Sequence, residues 1–294
     1  MNAFLLAAGV IGATGFWIVN RWAERSGART EAYRFWLLLF STLFSGPLAY
    51  HFGQSLQGSL LWTCGSIVGL AFSASLALMM FGLKMGPSGP VVASNNMGLL
   101  WPVLISVLWL NPGRPTAALI TGIVLVCAAL LILSFSPVEK DEQQEGSADH
   151  ARLSAGKWAA TLFLLWILAG ISMGTQSIAA TMAPGLPLAF SFVLNLVALC
   201  TVLPFFLLRQ PLQIRRCELL PGIVQGVLQV STMACVFLAI PRIGAEIVFP
   251  FVVASPIILM LFVGHFVFHE RITRPALAGC VLGTLGLVLL ARAG

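Results

Sequence analysis

The chain has 294 residues, of which 59% are hydrophobic and 9% are charged, and its formal net charge is +6 at pH 7. A soluble domain carries roughly 25% charged residues, so this composition excludes a soluble globular protein. It indicates an integral membrane protein.

Ten apolar runs follow one another along the chain, separated by short clusters of Arg, Pro, Gly and Asn. Each run is close to the ~20 residues with which a helix crosses a ~30 Å hydrocarbon core. The predicted spans are 2–20, 33–50, 60–81, 89–110, 116–135, 157–180, 186–208, 219–240, 244–267 and 275–291. The predicted fold class is therefore an all-α integral membrane protein with ten transmembrane helices. We expect the first run to be a true span and not a removed signal peptide, because no basic residue precedes it.

Lys and Arg are concentrated in alternate connections between these spans. Thirteen of the sixteen lie in the connections after spans one, three, five, seven and nine. Because cytoplasmic loops carry the excess of Lys and Arg, the bias predicts that both termini lie outside, in a bacterial-type inner membrane. The positive net charge thus reflects topology, and we expect no nucleic-acid partner.

A polar segment divides the chain into two equal halves. It predicts a first five-helix repeat at 1–135, a polar cytoplasmic linker at 136–156 and a second five-helix repeat at 157–294. Residues recur between the halves at nearly constant offsets, such as Ser73 and Ser231 at 158, which indicates a duplication.

Each half contains five spans, an odd number, so the second copy must enter the membrane upside down. Inverted repeats related by an axis in the membrane plane are how many secondary transporters build a central site that each face can open onto. The repeat pattern therefore predicts a secondary transporter that works by alternating access.

The end of the chain carries a recognisable motif. A penultimate helix ends in Glu270-Arg271, a short basic turn follows, and Gly279 lies nine residues after the glutamate. The first half repeats the motif in degraded form as "WLNPGRPTAALITG", which keeps Gly122. This arrangement resembles the closing signature of EamA-type members of the drug/metabolite transporter (DMT) superfamily, and the ten-span, two-repeat plan extends the resemblance over nearly the whole chain. It implies export of a small polar metabolite without ATP.

The charge pattern differs from that of typical EamA exporters, which have cytoplasmic termini and little charge after span one. Four arginines lie between 21 and 34 in this chain. In this respect it is more similar to the sugar-uptake branches of the superfamily. A sugar or polyol uptake porter, or a lipid-carrier flippase, is therefore the alternative function.

Polar and aromatic side chains at mid-depth are the candidates for a substrate site, because polar groups in hydrocarbon are costly and usually face a bundle interior or cavity. Gln225 and Gln229 lie one turn apart on one helical face, and their amides can hydrogen-bond a polyhydroxy or zwitterionic solute. The candidate substrate-binding residues are Trp17, Asn20, Ser73, Asn95, Asn96, Trp101, Thr175, Gln176, Gln225, Gln229 and Ser255. The alternative is that these side chains bond neighbouring helices together.

Proline and glycine carry two further predictions. Pro102 and Pro256 lie in corresponding spans of the two halves and are candidates for kinks or gates on the translocation path. Glycines four residues apart allow close helix packing in lipid. The candidate packing glycines are Gly65, Gly69, Gly170, Gly174, Gly279 and Gly283; Gly222 and Gly226 share the spacing.

The sequence lacks the motifs of several other protein classes. Thr273, not a second histidine, stands four residues after His269, so no zinc-protease motif is present. The six cysteines show neither metal spacing nor a disulfide framework. We expect no enzymatic activity, no cofactor and no metal. The expected partners are a small-molecule substrate and membrane lipid, with a homodimer left open. No span has a carboxylate near its centre, so ion coupling would have to use Glu246, His265 or backbone carbonyls.

Overall fold

The computed structural model describes residues 2–85, 91, 94–110, 116–135, 155–209, 215–268 and 274–293, and all regular structure in these ranges is helical. The helices are α1 (Asn2–Arg25), α2 (Thr30–His51), α3 (Ser59–Met85), α4 (Leu100–Ile105), α5 (Ala117–Phe135), α6 (Ala155–Met182), α7 (Pro187–Arg209), α8 (Arg216–Ile243), α9 (Ala245–Phe268) and α10 (Arg274–Ala293). They match the ten predicted spans in order and number. The basic turn at 269–273 and most of the predicted linker lie outside the described residues.

The apolar length of these helices is that of a multi-pass membrane protein. Five are long and apolar enough to cross a membrane, over Asn2–Asn20, Ser59–Met79, Lys157–Met182, Pro187–Leu208 and Arg216–Ile243. Three shorter apolar helices accompany them at Ala117–Ile132, Ala245–Leu259 and Leu277–Leu290.

Polar contacts between the two halves mark the two ends of the bundle. At one end, which we call the Glu218 face, the Arg29 side chain donates to the carboxylate of Glu218, with Nε–Oε1 at 2.6 Å and Nη2–Oε2 at 2.9 Å. At the other end, the Gln54 face, Oε1 of Gln54 accepts the backbone N–H groups of Leu188 and Ala189 at 2.9 and 3.0 Å. Both contacts occupy helix N-termini, where free N–H groups need acceptors.

The order of contacts along paired helices shows that the second half is inverted. A Cβ on Gly122 of α5 would meet Leu290 of α10, whereas a Cβ on Gly283 of α10 would meet Ala129 of α5. Residue numbers rise on one helix as they fall on the other, so α5 and α10 are antiparallel. These are the fifth helices of the two repeats. Their antiparallel packing therefore means that the axis relating the repeats is perpendicular to the helices.

Each of the main helix contacts has an equivalent in which both helices are replaced by their counterparts from the other half. Helix α1 packs on α8 as α6 packs on α3, and α2 packs on α8 as α7 packs on α3. The pairs α2–α7 and α5–α10 map onto themselves. Most of these contacts run between the halves, so the two five-helix units are interlocked.

Equivalent glycine pairs make these contacts close. Gly65 and Gly69 of α3 pack on α7, where added Cβ atoms would lie 2.7 Å from Val193 Cγ1 and 2.6 Å from the Leu194 carbonyl oxygen. Their equivalents, 157 residues later in α8, pack on Trp36 and Phe40 of α2 in the same way. The glycine spacing read from the sequence therefore lies at helix contacts between the halves.

The fourth span differs from a regular helix. A 3-10 turn at Met97–Leu99 precedes α4, and a π-turn at Ser106–Leu110 follows it. Pro102 lies inside α4 and is buried, whereas α9 stays a continuous α-helix through Pro250 and Pro256. Irregular turns re-satisfy backbone groups that proline frees, so the two predicted gating prolines have different local structures.

Candidate functional site

One face of α8 carries a stripe of polar side chains at mid-depth. Gln225, Gln229 and Thr232 follow at spacings of four and three residues, so all three point to one side of the helix. Gln225 is fully buried and Gln229 is 6% exposed. We call these three residues the α8 stripe.

The neighbours of the α8 stripe place it at a three-helix junction. On one side of Gln225, Gly222 and Gly226 pack against α2. On the other side, Thr232 and Leu228 pack against Gly12 and Gly15 of α1. The stripe therefore faces the space where α1, α2 and α8 meet.

The polar atoms of the stripe do not bond these neighbouring helices. Within the part of the chain that the structure describes, Nε2 and Oε1 of Gln225 and Oγ1 of Thr232 are buried without a hydrogen-bond partner. Buried polar groups are normally hydrogen-bonded, and each exception needs an explanation. A purely adhesive role between helices does not account for Gln225.

The equivalent junction in the other half is formed by α6, α7 and α3, and its polarity is reversed. Gln225 corresponds to Val68, which lies 157 residues earlier and is 1% exposed. Conversely, the fully buried Asn195 corresponds at the same spacing to the apolar Leu38, and Ser177 of this junction is fully buried as well. Ser177 Oγ and Asn195 Oδ1 are also buried without a partner among the described residues.

The amides of Gln225 and Asn195 each correspond to an apolar side chain in the other junction, Val68 and Leu38, whereas Thr232 corresponds to the buried hydroxyl of Ser75. Asn195 Nδ2 donates to the Ser191 carbonyl within its own helix, at 2.8 Å, and so leaves its carbonyl oxygen free. Among the described residues, the two junctions together hold five unpartnered buried atoms, from Gln225, Thr232, Ser177 and Asn195.

Apolar clusters lie toward each end of the bundle from these junctions. Toward the Glu218 face, Ala23, Tyr33, Leu37, Leu38 and Ala198 form a compact cluster joining α1, α2 and α7. Toward the Gln54 face, a larger cluster includes the helix-end residues Ala49, Leu61, Ala180, Ala189 and Ile240. Both clusters also reach the depth of the junctions, since Leu38 belongs to the first and Val68 to the second.

The chain is similar to known proteins in part of its sequence and in its fold. Residues 160–292, nearly all of the second repeat, match the EamA-like transporter family. This half of the chain is thus similar to the EamA-like transporter family. A solved crystal structure is similar over 98% of this chain and 95% of its own, with a TM-score of 0.76 and 14% sequence identity, which shows a shared fold. No curated protein matches the sequence significantly.

In this EamA-like protein, the candidate residues of the fourth span lie against α6. A Cβ on Gly170 would collide with the Trp101 ring, and one on Gly174 would lie 2.8 Å from Ile105 Cδ1. Trp101 Nε1 and Asn96 Nδ2 are buried without partners in the described ranges. Asn95 is half-buried beside Asn96.

The remaining candidates are spread over several helices. The Tyr33 hydroxyl donates to Asn20 Oδ1 at 2.8 Å, which joins α1 to α2. Gln176 Nε2 donates to the Met233 sulfur at 3.1 Å. The Ser73 hydroxyl donates to its own helix at Leu70. Trp17, Thr175 and Ser255 are half-buried. The structure thus brings the α8 stripe together but distributes the other candidates.

Two acidic residues of the EamA-like protein connect the halves. Glu218 has a fully buried side chain and accepts from Arg29, and this hydrogen bond raises the pKa of Arg29. Glu246, at the start of α9, accepts a short hydrogen bond from the Ser106 hydroxyl in the fourth span. Glu218 was not a sequence candidate; a carboxylate in the first turn of a helix is favoured by the dipole, but its partner lies 189 residues away.

Packing glycines of the final helices have close neighbours as well. A Cβ added to Gly283 would lie 3.0 Å from Ile258 Cδ1 of α9 and 3.3 Å from Ala129 Cβ of α5. Gly279 is buried in the same helix. The predicted contacts of Glu270 lie outside the described residues.

Proposed function

We propose that the protein is a secondary transporter that moves a small polar metabolite by alternating access, with the solute bound at mid-depth against the α8 stripe. The match of residues 160–292 to a transporter family supports the general activity. The unpartnered amide of Gln225 carries the assignment of the site. An unpaired buried polar group costs free energy, and a solute that hydrogen-bonds this amide removes that penalty.

The inverted repeat supports the transport cycle. Because the halves interlock through equivalent helix pairs, a tilt of one against the other closes one junction as it opens its equivalent. Apolar clusters toward both faces would then act as the two closures. We place the Glu218 face in the cytoplasm of a bacterial-type inner membrane, because the Lys- and Arg-rich connections lie at that end.

Solute counterflow in proteoliposomes tests this function. Purified protein is reconstituted into vesicles preloaded with an unlabelled sugar, polyol, amino acid, nucleoside or quaternary amine, and entry of the same labelled solute is followed without ATP or an ion gradient. We expect transient accumulation of at least one solute class, and its loss in Gln225→Leu. Gly185→Ala is the matched control, because nothing lies within 4 Å of its added Cβ. Absence of accumulation for every solute would contradict the proposal.

A further inference from the structure

We infer that the transported solute is uncharged and is recognised through paired hydrogen-bond donors and acceptors, as in a carboxamide or a polyol. The inference rests on the proposed function, because it assigns a substrate class to the same site. It starts from the unpartnered buried atoms of the α8 stripe, which are Nε2 and Oε1 of Gln225 and Oγ1 of Thr232.

The inventory of these atoms defines what they can bind. Gln225 offers an NH₂ donor and a carbonyl acceptor on one planar group, and neither is used within the described chain. The Thr232 hydroxyl of the same stripe can donate or accept a hydrogen bond. The amide of Gln225 complements another amide or a pair of neighbouring hydroxyls, since each presents a donor beside an acceptor.

Charged side chains are absent from the spans that enclose the α8 stripe. The sequence has no Lys, Arg, Asp or Glu within 2–20 of α1, 35–51 of α2 or 219–241 of α8. The spans of the equivalent junction likewise contain no Lys, Arg, Asp or Glu within 158–182 and 187–208. Charged groups near these helices, such as Glu218 and Glu246, lie at the two faces.

This distribution disfavours ions. An isolated charge in a low-dielectric site is expensive unless a counter-charge and hydrogen bonds accompany it. Neutral amides and hydroxyls supply the hydrogen bonds but not the counter-charge. A neutral solute needs only the hydrogen bonds.

The stripe also limits the length of the solute. Seven residues separate Gln225 from Thr232, which at 1.5 Å per residue gives about 10 Å along the helix. A single ring with polar substituents fits this length, and a solute that engages both ends is no longer than a small disaccharide.

Matched compounds that differ only in charge test the inference. Thermal stabilisation of the purified protein is measured with nicotinamide against nicotinate, and with glucose against glucosamine and glucuronate, because a ligand that binds the native state raises its apparent stability. We expect stabilisation by the uncharged member of at least one set and at least tenfold weaker binding of its charged partners.

Two substitutions separate recognition from folding. Gln225→Met keeps the volume but removes both polar atoms, and we expect it to abolish the stabilisation. Gln225→Glu adds a carboxylate at the same position, and we expect it to shift the preference toward glucosamine. Gly185→Ala is the control, because nothing lies within 4 Å of its added Cβ, and it is expected to keep the wild-type preference.

The outcomes distinguish this inference from the proposed function. Stronger stabilisation by nicotinate, glucuronate or glucosamine, no stabilisation by any of the five compounds, or an unchanged preference in both Gln225 variants would overturn the uncharged class. If a charged solute then shows counterflow in the same preparation, the protein is a transporter but its solute is not uncharged. Absence of counterflow for every solute removes the proposed function itself.

Discussion

Replacing Gln225 with methionine should stabilise the protein in the absence of solute. The side chain is fully buried, and neither Nε2 nor Oε1 has a partner among the described residues. Methionine has a similar length and shape, and a volume-conserving apolar substitution disturbs packing little. The substitution therefore removes a desolvation penalty without opening a cavity.

The magnitude follows from that penalty. Mutational data give roughly 1–3 kcal/mol for a buried polar group without a hydrogen bond, so we expect the free energy of unfolding to rise by about 1–3 kcal/mol. For chains of 150–250 residues, each 1 kcal/mol shifts the melting temperature by about 2–4 °C. An increase of about 2–12 °C follows. Lipid or detergent around the helices leaves the sign unchanged, since the site is enclosed by protein.

Thermal unfolding in detergent, followed by intrinsic fluorescence, measures this shift. The matched substitution is Leu38→Asn, which introduces an amide at the position equivalent to Asn195 and should lower the melting temperature. A decrease on Gln225→Met would show that the amide binds helices together, and would refute the interpretation of Gln225 as a solute ligand.

Three further substitutions test the contacts between the halves. Gly226→Ala should cost about 1–3 kcal/mol by overpacking, because its Cβ would lie 2.9 Å from the Ser41 backbone nitrogen; Gly185→Ala in the same melting assay should be neutral, and equal melting temperatures would refute the close contact. Gln54→Ala removes the acceptor of two N–H groups at the start of α7 and should cost about 1 kcal/mol, the usual loss for a helix cap; no change in denaturant midpoint would argue against it. Glu218→Gln removes the carboxylate that accepts from Arg29 and should accelerate proteolysis at the connection between α1 and α2, whereas an unchanged cleavage rate would show that the ion pair does not hold this connection.

Much of the fold could be predicted because hydrophobic length and repetition are local properties of the sequence. Apolar runs located the ten helices, and the offset of about 158 between the halves located the duplication. The glycine pairs at spacing four identified faces of close approach, although not the helices they meet. Gly65, for example, contacts Val193, and only the three-dimensional packing reveals that partner.

The fourth span shows where this reasoning fails. Its apolar length predicted one helix, but backbone geometry around Pro102 divides it into a 3-10 turn, an α-helix and a π-turn. Hydropathy does not report which backbone hydrogen bond shifts when a proline removes a donor.

The candidate site was predicted in part. Helical spacing placed Gln225 and Gln229 on one face, and the structure places that face at a junction of three helices. Ser177 was not among the candidates, because only the packed structure shows that its hydroxyl is buried without a partner among the described residues. The Arg29–Glu218 pair likewise joins residues too far apart in sequence for spacing to reveal.

Alternating access is tested most directly by distances measured at both faces of one preparation. Spin labels replace Ser26 and Leu208 at the Glu218 face, or Gln57 and Gly185 at the Gln54 face; all four positions are exposed, and each pair spans the two halves. The native cysteines are removed first, and electron–electron double resonance is recorded in lipid nanodiscs with and without the solute that gives the largest counterflow. We expect one pair to separate as the other approaches. Distances that stay fixed, or that change in the same direction at both faces, would contradict transport by alternating access.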